Sequence, residues 1–160
     1  MINSTTTTLF QQSLATAFGL LITGSVMAQD GPQPRLPTVE LTAGMHVIQA
    51  EVAQTPSEQS AGLMHRRSMG VNEGMLFVYD TPQVRCYWMR NTLIPLTIAF
   101  ADDDGTIVNL KDMQPLSEQS HCSIKPVRYA LEMNQGWFKE RGLKPGFKLR
   151  GAPFLPASAP

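Results

Sequence analysis

Charge is scarce in this chain, above all at its start. No charged side chain precedes Asp30 and no basic one precedes Arg35. Charged residues make up 16% of the whole, against about 25% in an ordinary soluble protein. Lysine plus arginine equal aspartate plus glutamate at 13 each, with no basic block anywhere. Without a positive footprint, nothing points to nucleic-acid binding or to attraction by an anionic membrane.

A long hydrophobic run is also missing. Residues 14–24, LATAFGLLITG, are apolar but interrupted by Gly and Thr, and a spanning helix needs about 20 such residues. That length instead suits the core of a secretory signal. SVMA ahead of Gln29 places Val26 and Ala28 at the two small-residue positions of a peptidase site. The reading is a signal peptide over residues 1–28, a periplasmic or secreted mature chain, and no stable membrane span after cleavage. A basic n-region is lacking, so an uncleaved anchor and a wrongly chosen start codon stand as alternatives. No cysteine follows the apolar run to accept a lipid.

Cysteine is limited to Cys86 and Cys122, with no C-x-x-C spacing. That argues against a redox motif and against a zinc site, which needs more ligands at characteristic intervals. In an oxidising compartment the economical expectation is one structural disulfide. Closing a loop of about 37 residues, it would stabilise the fold by about 3–4 kcal/mol on the chain-entropy model. Two buried thiols, or a nucleophilic cysteine activated by His121, are the alternatives. Sequence neighbours rarely present side chains to each other, which disfavours the last.

Catalytic and cofactor fingerprints are missing as well. There is no G-x-S-x-G, H-E-x-x-H, phosphate loop or dinucleotide motif, so no catalytic residue and no cofactor is assigned. The run Asp102, Asp103, Asp104 is read as a solvated turn. Calcium loops alternate their carboxylates and end on a bidentate glutamate.

What is present reads as short strands. HVIQAEVAQ alternates with Ile48, Ala50 and Val52 on one face. TPSE then opens a short helix: Thr55 can cap, Pro56 suits the first turn, and Glu58 completes a capping box. GMLFVYD is a strand that Thr81-Pro82 should stop. Further strands are expected at 86–91 and 96–101, with Pro95 marking a boundary. DDDG joins LTIAFA to TIVNLK as a hairpin. VRYALEM is another strand, QGWFKERG a helical turn closed by Gly142, and FKLRG a last strand. Six or seven strands and one or two short helices make a mainly-β single domain over 38–151, a sandwich or partly closed barrel. Residues 29–37 read as a Pro/Gly-rich linker, and 152–160 as a disordered Pro/Ala tail.

GLMHR at 62–66, EGMLFVY at 73–79, WMRNTLIPLTIAF at 88–100, the DDGTIV turn and RYALEMNQGWFKERGLKPG at 128–146 occur in that order. Together they resemble the domain-of-unknown-function family 192 across nearly all of 48–149. The resemblance implies a compact β-sandwich-like domain and no established reaction. Members usually carry an acidic residue where this chain has Thr97, and a Gly-Asp pair where it has Gly146-Phe147.

Several polar and amphipathic residues sit inside these apolar motifs. Arg66, Trp88, Asn91, Thr92 and Glu132 are the candidate ligand-binding set, a surface for a small polar molecule such as a sugar or carboxylate, or for an envelope protein. A purely structural reading competes: Asn91 and Thr92 satisfy a turn, and Glu132 pairs with Arg66. If Trp88 points inward, alternation takes Arg90 with it and sends Met89 outward. A non-catalytic binding or accessory module is the favoured function. An envelope hydrolase using Glu132 is the alternative, although a glycosidase would need a second carboxylate. Copper handling ranks below both. Methionines 45, 64, 69, 75, 89, 113 and 133 are scattered singly rather than clustered, which fits gap-filling in a core better than Cu(I) ligation.

Overall fold

The computed structural model describes residues 31–154. The expected signal peptide, and the tail beyond residue 154, lie outside them. Nine strands and two short helices follow one another: β1 (Thr38–Ala43), β2 (His46–Ala53), α1 (Pro56–Ala61), β3 (Glu73–Gln83), β4 (Cys86–Tyr87), β5 (Leu96–Ala101), β6 (Ile107–Met113), β7 (His121–Cys122), β8 (Val127–Asn134), α2 (Trp137–Glu140) and β9 (Leu149–Arg150).

Seven strands form one sheet in the order β6-β5-β8-β3-β2-β1-β9, while β4 and β7 form a separate two-stranded ribbon. The large sheet curls into a half-barrel. Its edges approach each other at one end, where Thr106 bridges Lys148 and Ile107 N–H donates to Phe147 O at 2.8 Å. The mainly-β expectation therefore holds, in its partly closed form.

Alternation along the strands fills two apolar layers, one on each face. Leu41, Ile48, Leu76, Ala99, Tyr129, Leu131 and Met133 pack on one side with Trp137 and Phe138 of α2. Met75, Phe77, Ile98, Phe100 and Ala130 pack on the other with Leu63, Met89 and Ile94. β5 is buried at every position, as expected of a strand covered on both faces. Met75, Met89, Met113 and Met133 are fully buried in these layers, where methionine serves as packing.

β2 and β3 run parallel, so the chain between them must cross one face of the sheet. The capping box starts that crossover as expected: Thr55 Oγ1 accepts from Glu58 N, and Glu58 Oε2 accepts from Thr55 N at 2.9 Å. The helix stops after Ala61, and the following Gly62 N–H bonds Glu58 O.

The structure differs from the sequence reading at four places. β3 does not stop at Thr81-Pro82 but continues to Gln83, because its register with β8 shifts between Val78 and Gln83. A proline lacking an N–H is tolerated in such an irregularity. The strand expected at 86–91 ends after Tyr87, since Met89 N–H turns away to Ser117 O and Asn91 adopts φ 59. In consequence Met89 is buried and Trp88 is 47% exposed, the reverse of the inward-Trp88 parity. β1 and β7 are additional strands. Finally, segments at both ends of the domain dock onto it. Gln33 Nε2 donates to Gly62 O at 2.8 Å, and Phe154 stacks edge-on against Tyr129 at 5.0 Å.

Candidate functional site

β8 lies inside the sheet between β5 and β3, and alternation puts Glu132 on the same face as Ala130, between Met75 of β3 and Ile98 of β5. Those neighbours are apolar. The turn after α1 and the β4 segment then cover this face and leave a cavity of about 140 Å³. Its walls include Gln59, Met64, Tyr79, Tyr87, Trp88 and Thr92 around Glu132. Liquid water occupies roughly 30 Å³ per molecule, so the space matches about four or five waters.

Glu132 is 5% exposed. Among the described residues its carboxyl has no hydrogen-bond or ion-pair partner, and burial alone pushes its pKa up to about 8. An acid so placed is neutral at pH 7 and can donate a proton to a hydrogen bond. The Tyr79 and Tyr87 hydroxyls bond each other at 2.7 Å. Burial holds both above the ordinary tyrosine range, with Glu132 near enough to add to the effect. Phe77 meets Tyr87 edge to face at 5.0 Å, and the Arg85 guanidinium lies 3.7 Å above the Tyr79 ring. Gln59 Nε2 donates to Val78 O at 2.8 Å, fastening α1 to the sheet beside the cavity.

The cavity wall formed by β4 is tied down covalently. Cys86 and Cys122 face each other across the β4–β7 ribbon and are disulfide-bonded, as expected from the sequence. β7 is held in turn by Asn109 of β6, which donates to Cys122 O and accepts from Ile124 N, both at 3.2 Å.

Of the five residues singled out from the sequence, Trp88, Thr92 and Glu132 line the cavity. Arg66 does not pair with Glu132. It donates to Glu51 Oε2 at 2.9 Å, while Glu51 also accepts from Arg35 and from the Leu36 N–H. Asn91 is an exposed turn residue whose carbonyl accepts from His65 N at 2.8 Å. Gln59, Met64, Tyr79 and Tyr87 were not anticipated: the crossover brings Gln59 and Met64 to Glu132, the β4–β7 ribbon brings Tyr87, and Tyr79 comes from β3, the neighbour of β8. Removing Glu51 would strand the Arg66 guanidinium, whose side chain is 11% exposed. Glu51→Gln should lower stability by about 3 kcal/mol, read as a reduced midpoint in urea unfolding. The double change Glu51→Gln/Arg66→Met should cost less than the single one.

The DUF192 family, described as Uncharacterized ACR, matches residues 39–151. The chain belongs to that family. No curated protein matches this DUF192 chain. A crystal structure from Sinorhizobium meliloti 1021, described as a "putative transcription regulator", is 36% identical with a TM-score of 0.71, over 75% of this chain and 98% of that one. A protein of unknown function from Novosphingobium aromaticivorans is 37% identical with a TM-score of 0.66, over 71% of this chain and 83% of that one. Beside the family pattern, Thr97 of this DUF192 chain bonds Asp112 Oδ1 at 2.5 Å. A carboxylate on the neighbouring strand β6 thus stands next to the position where an acidic residue was expected.

Proposed function

We propose that this DUF192 domain is an exported, non-catalytic binding module whose ligand is a small polar molecule held in the Glu132 cavity. The observation that carries this reading is a buried carboxyl, without a partner among the described residues, opening into a space lined by Trp88, Tyr79 and Tyr87. Leaving a polar group so placed costs the fold stability. A ligand that engages it recovers part of that cost, and convergent polar groups in an aromatic-walled pocket are the ordinary form of a small-molecule site. The disulfide supports an oxidising location, in line with the leader-like residues 1–28. Glu132 is the sole carboxyl among the lining residues, which disfavours the two-carboxylate hydrolase. A regulatory role at DNA, as the description of the Sinorhizobium relative would imply, gains no support from a net charge of zero.

The test is a nuclear magnetic resonance screen of the mature domain against sugars, organic acids, amides and amines. Saturable shifts at Tyr79, Tyr87 and Trp88 that vanish in Glu132→Gln are expected. A complete screen that perturbs none of these three rings would overturn the assignment.

A further inference from the structure

We infer that the ligand of this cavity is a small organic cation, a protonated primary amine or guanidinium, that binds Glu132 in its ionised form. The inference rests on the cavity reading above and narrows it by charge and shape.

The lining holds one acid and no basic side chain. An anion entering it would meet Glu132 with no compensating cation in the walls. Arg85 lies against the Tyr79 ring and donates to Thr81 O at 2.7 Å. A cation, by contrast, finds the carboxyl together with Tyr87, Trp88 and Met64 in the cavity lining. Aromatic faces attract cations through the negative face of the ring quadrupole. The volume fits a molecule of a few non-hydrogen atoms, the size of methylammonium or guanidinium.

Pairing with a cation favours the charged carboxylate, the opposite of what burial does to the empty site. Binding below the carboxyl's raised pKa therefore expels one proton from Glu132. Apparent affinity should rise about tenfold per pH unit until the free carboxyl is ionised, and then level off. The titratable groups facing Glu132 are few. β3 contributes Tyr79 and β4 contributes Tyr87, both above the ordinary tyrosine range. β5 contributes the apolar Ile98 and α1 the neutral Gln59, neither of which titrates. His121 of β7 stands opposite Tyr87 in the ribbon, and Arg85 lies over Tyr79.

The experiment titrates the mature domain with methylammonium and with guanidinium at constant ionic strength, from pH 5.5 to 8.5. Resonances of Tyr79, Tyr87 and Trp88 report binding. Calorimetry at pH 6.5 in two buffers of different ionisation enthalpy counts protons. Support consists of saturable binding, about one proton released per cation, and a tenfold gain per pH unit that flattens above pH 8. Both pH signatures should disappear in Glu132→Gln and persist in His121→Gln. Absence of binding by either cation, or an affinity that falls as pH rises, overturns the cation assignment. Should a neutral amide or alcohol bind with affinity falling over this range, the cavity remains a ligand site and only the cation assignment is lost.

Discussion

Glu132→Gln should make the protein more stable at pH 8 by about 4 kcal/mol and change it little at pH 4.5. Burial moves the carboxyl from an ordinary value of 4.5 to about 8 in the folded chain. Below pH 4.5 both folded and unfolded chains carry the proton, so nothing is lost. Between pH 4.5 and 8 the folded chain keeps a proton that the unfolded chain has released, and raising pH favours unfolding. The slope is about 1.4 kcal/mol per pH unit, and it ends once the folded carboxyl also ionises. Glutamine has no proton to lose and fits the same space. Subtracting the two stability curves, measured by urea unfolding at half-unit steps, isolates this group from all others. Parallel curves across the range would show that water or a conformational adjustment solvates the carboxylate, and the site would then hold no neutral acid.

The disulfide should produce the second large effect. Cys86 and Cys122 are 36 residues apart, and opening a loop of that size should cost about 4 kcal/mol. Cys86→Ser/Cys122→Ser should lower the urea midpoint accordingly, while the wild-type chain should show the same loss only in the presence of a reductant. The consequence is also local. β4 pairs with nothing but β7, through two residue pairs, and it carries Tyr87 into the cavity wall. Without the cross-link, hydrogen exchange should rise at Tyr87 and Cys122 before it rises in β8. Equal stability of the oxidised and reduced chains would contradict this account.

Much of the architecture was written in local pattern. Alternation in HVIQAEVAQ, the capping box at Thr55 and the turn residues after Ala101 each dictate a conformation over a few neighbours, and each element formed. β5 was legible for a different reason: an uninterrupted apolar run suits a strand covered on both faces. The failures involve information that neighbours do not hold. Whether Trp88 or Met89 turns inward depends on Ser117, which captures the Met89 N–H from far along the chain. Pro82 looked like a strand end because the irregularity that tolerates it belongs to the pairing with β8.

The site was half legible for the same reason. Glu132 is conspicuous as an acid within an apolar strand, and a partner for it was sought among the arginines. Arg66 is instead claimed by Glu51, one strand beyond β3 in the sheet, a choice fixed by the parallel crossover rather than by spacing. The tyrosine pair could not be anticipated, since Tyr79 and Tyr87 meet only after the chain doubles back into the β4–β7 ribbon.

The position of β8 constrains how the molecule can be made. It is the keystone of the sheet, yet among the described strands only β9 follows it in the chain. Until residues 127–134 arrive, β1-β2-β3 and β5-β6 are two ribbons with unpaired inner edges, and no shorter N-terminal fragment can join them. Assembly must then wait for contacts distant in sequence, which makes this a slow folder for its size and leaves sticky borders open meanwhile. The strand that unites the two halves also carries the buried acid, so the chain acquires its cavity and its architecture in a single event.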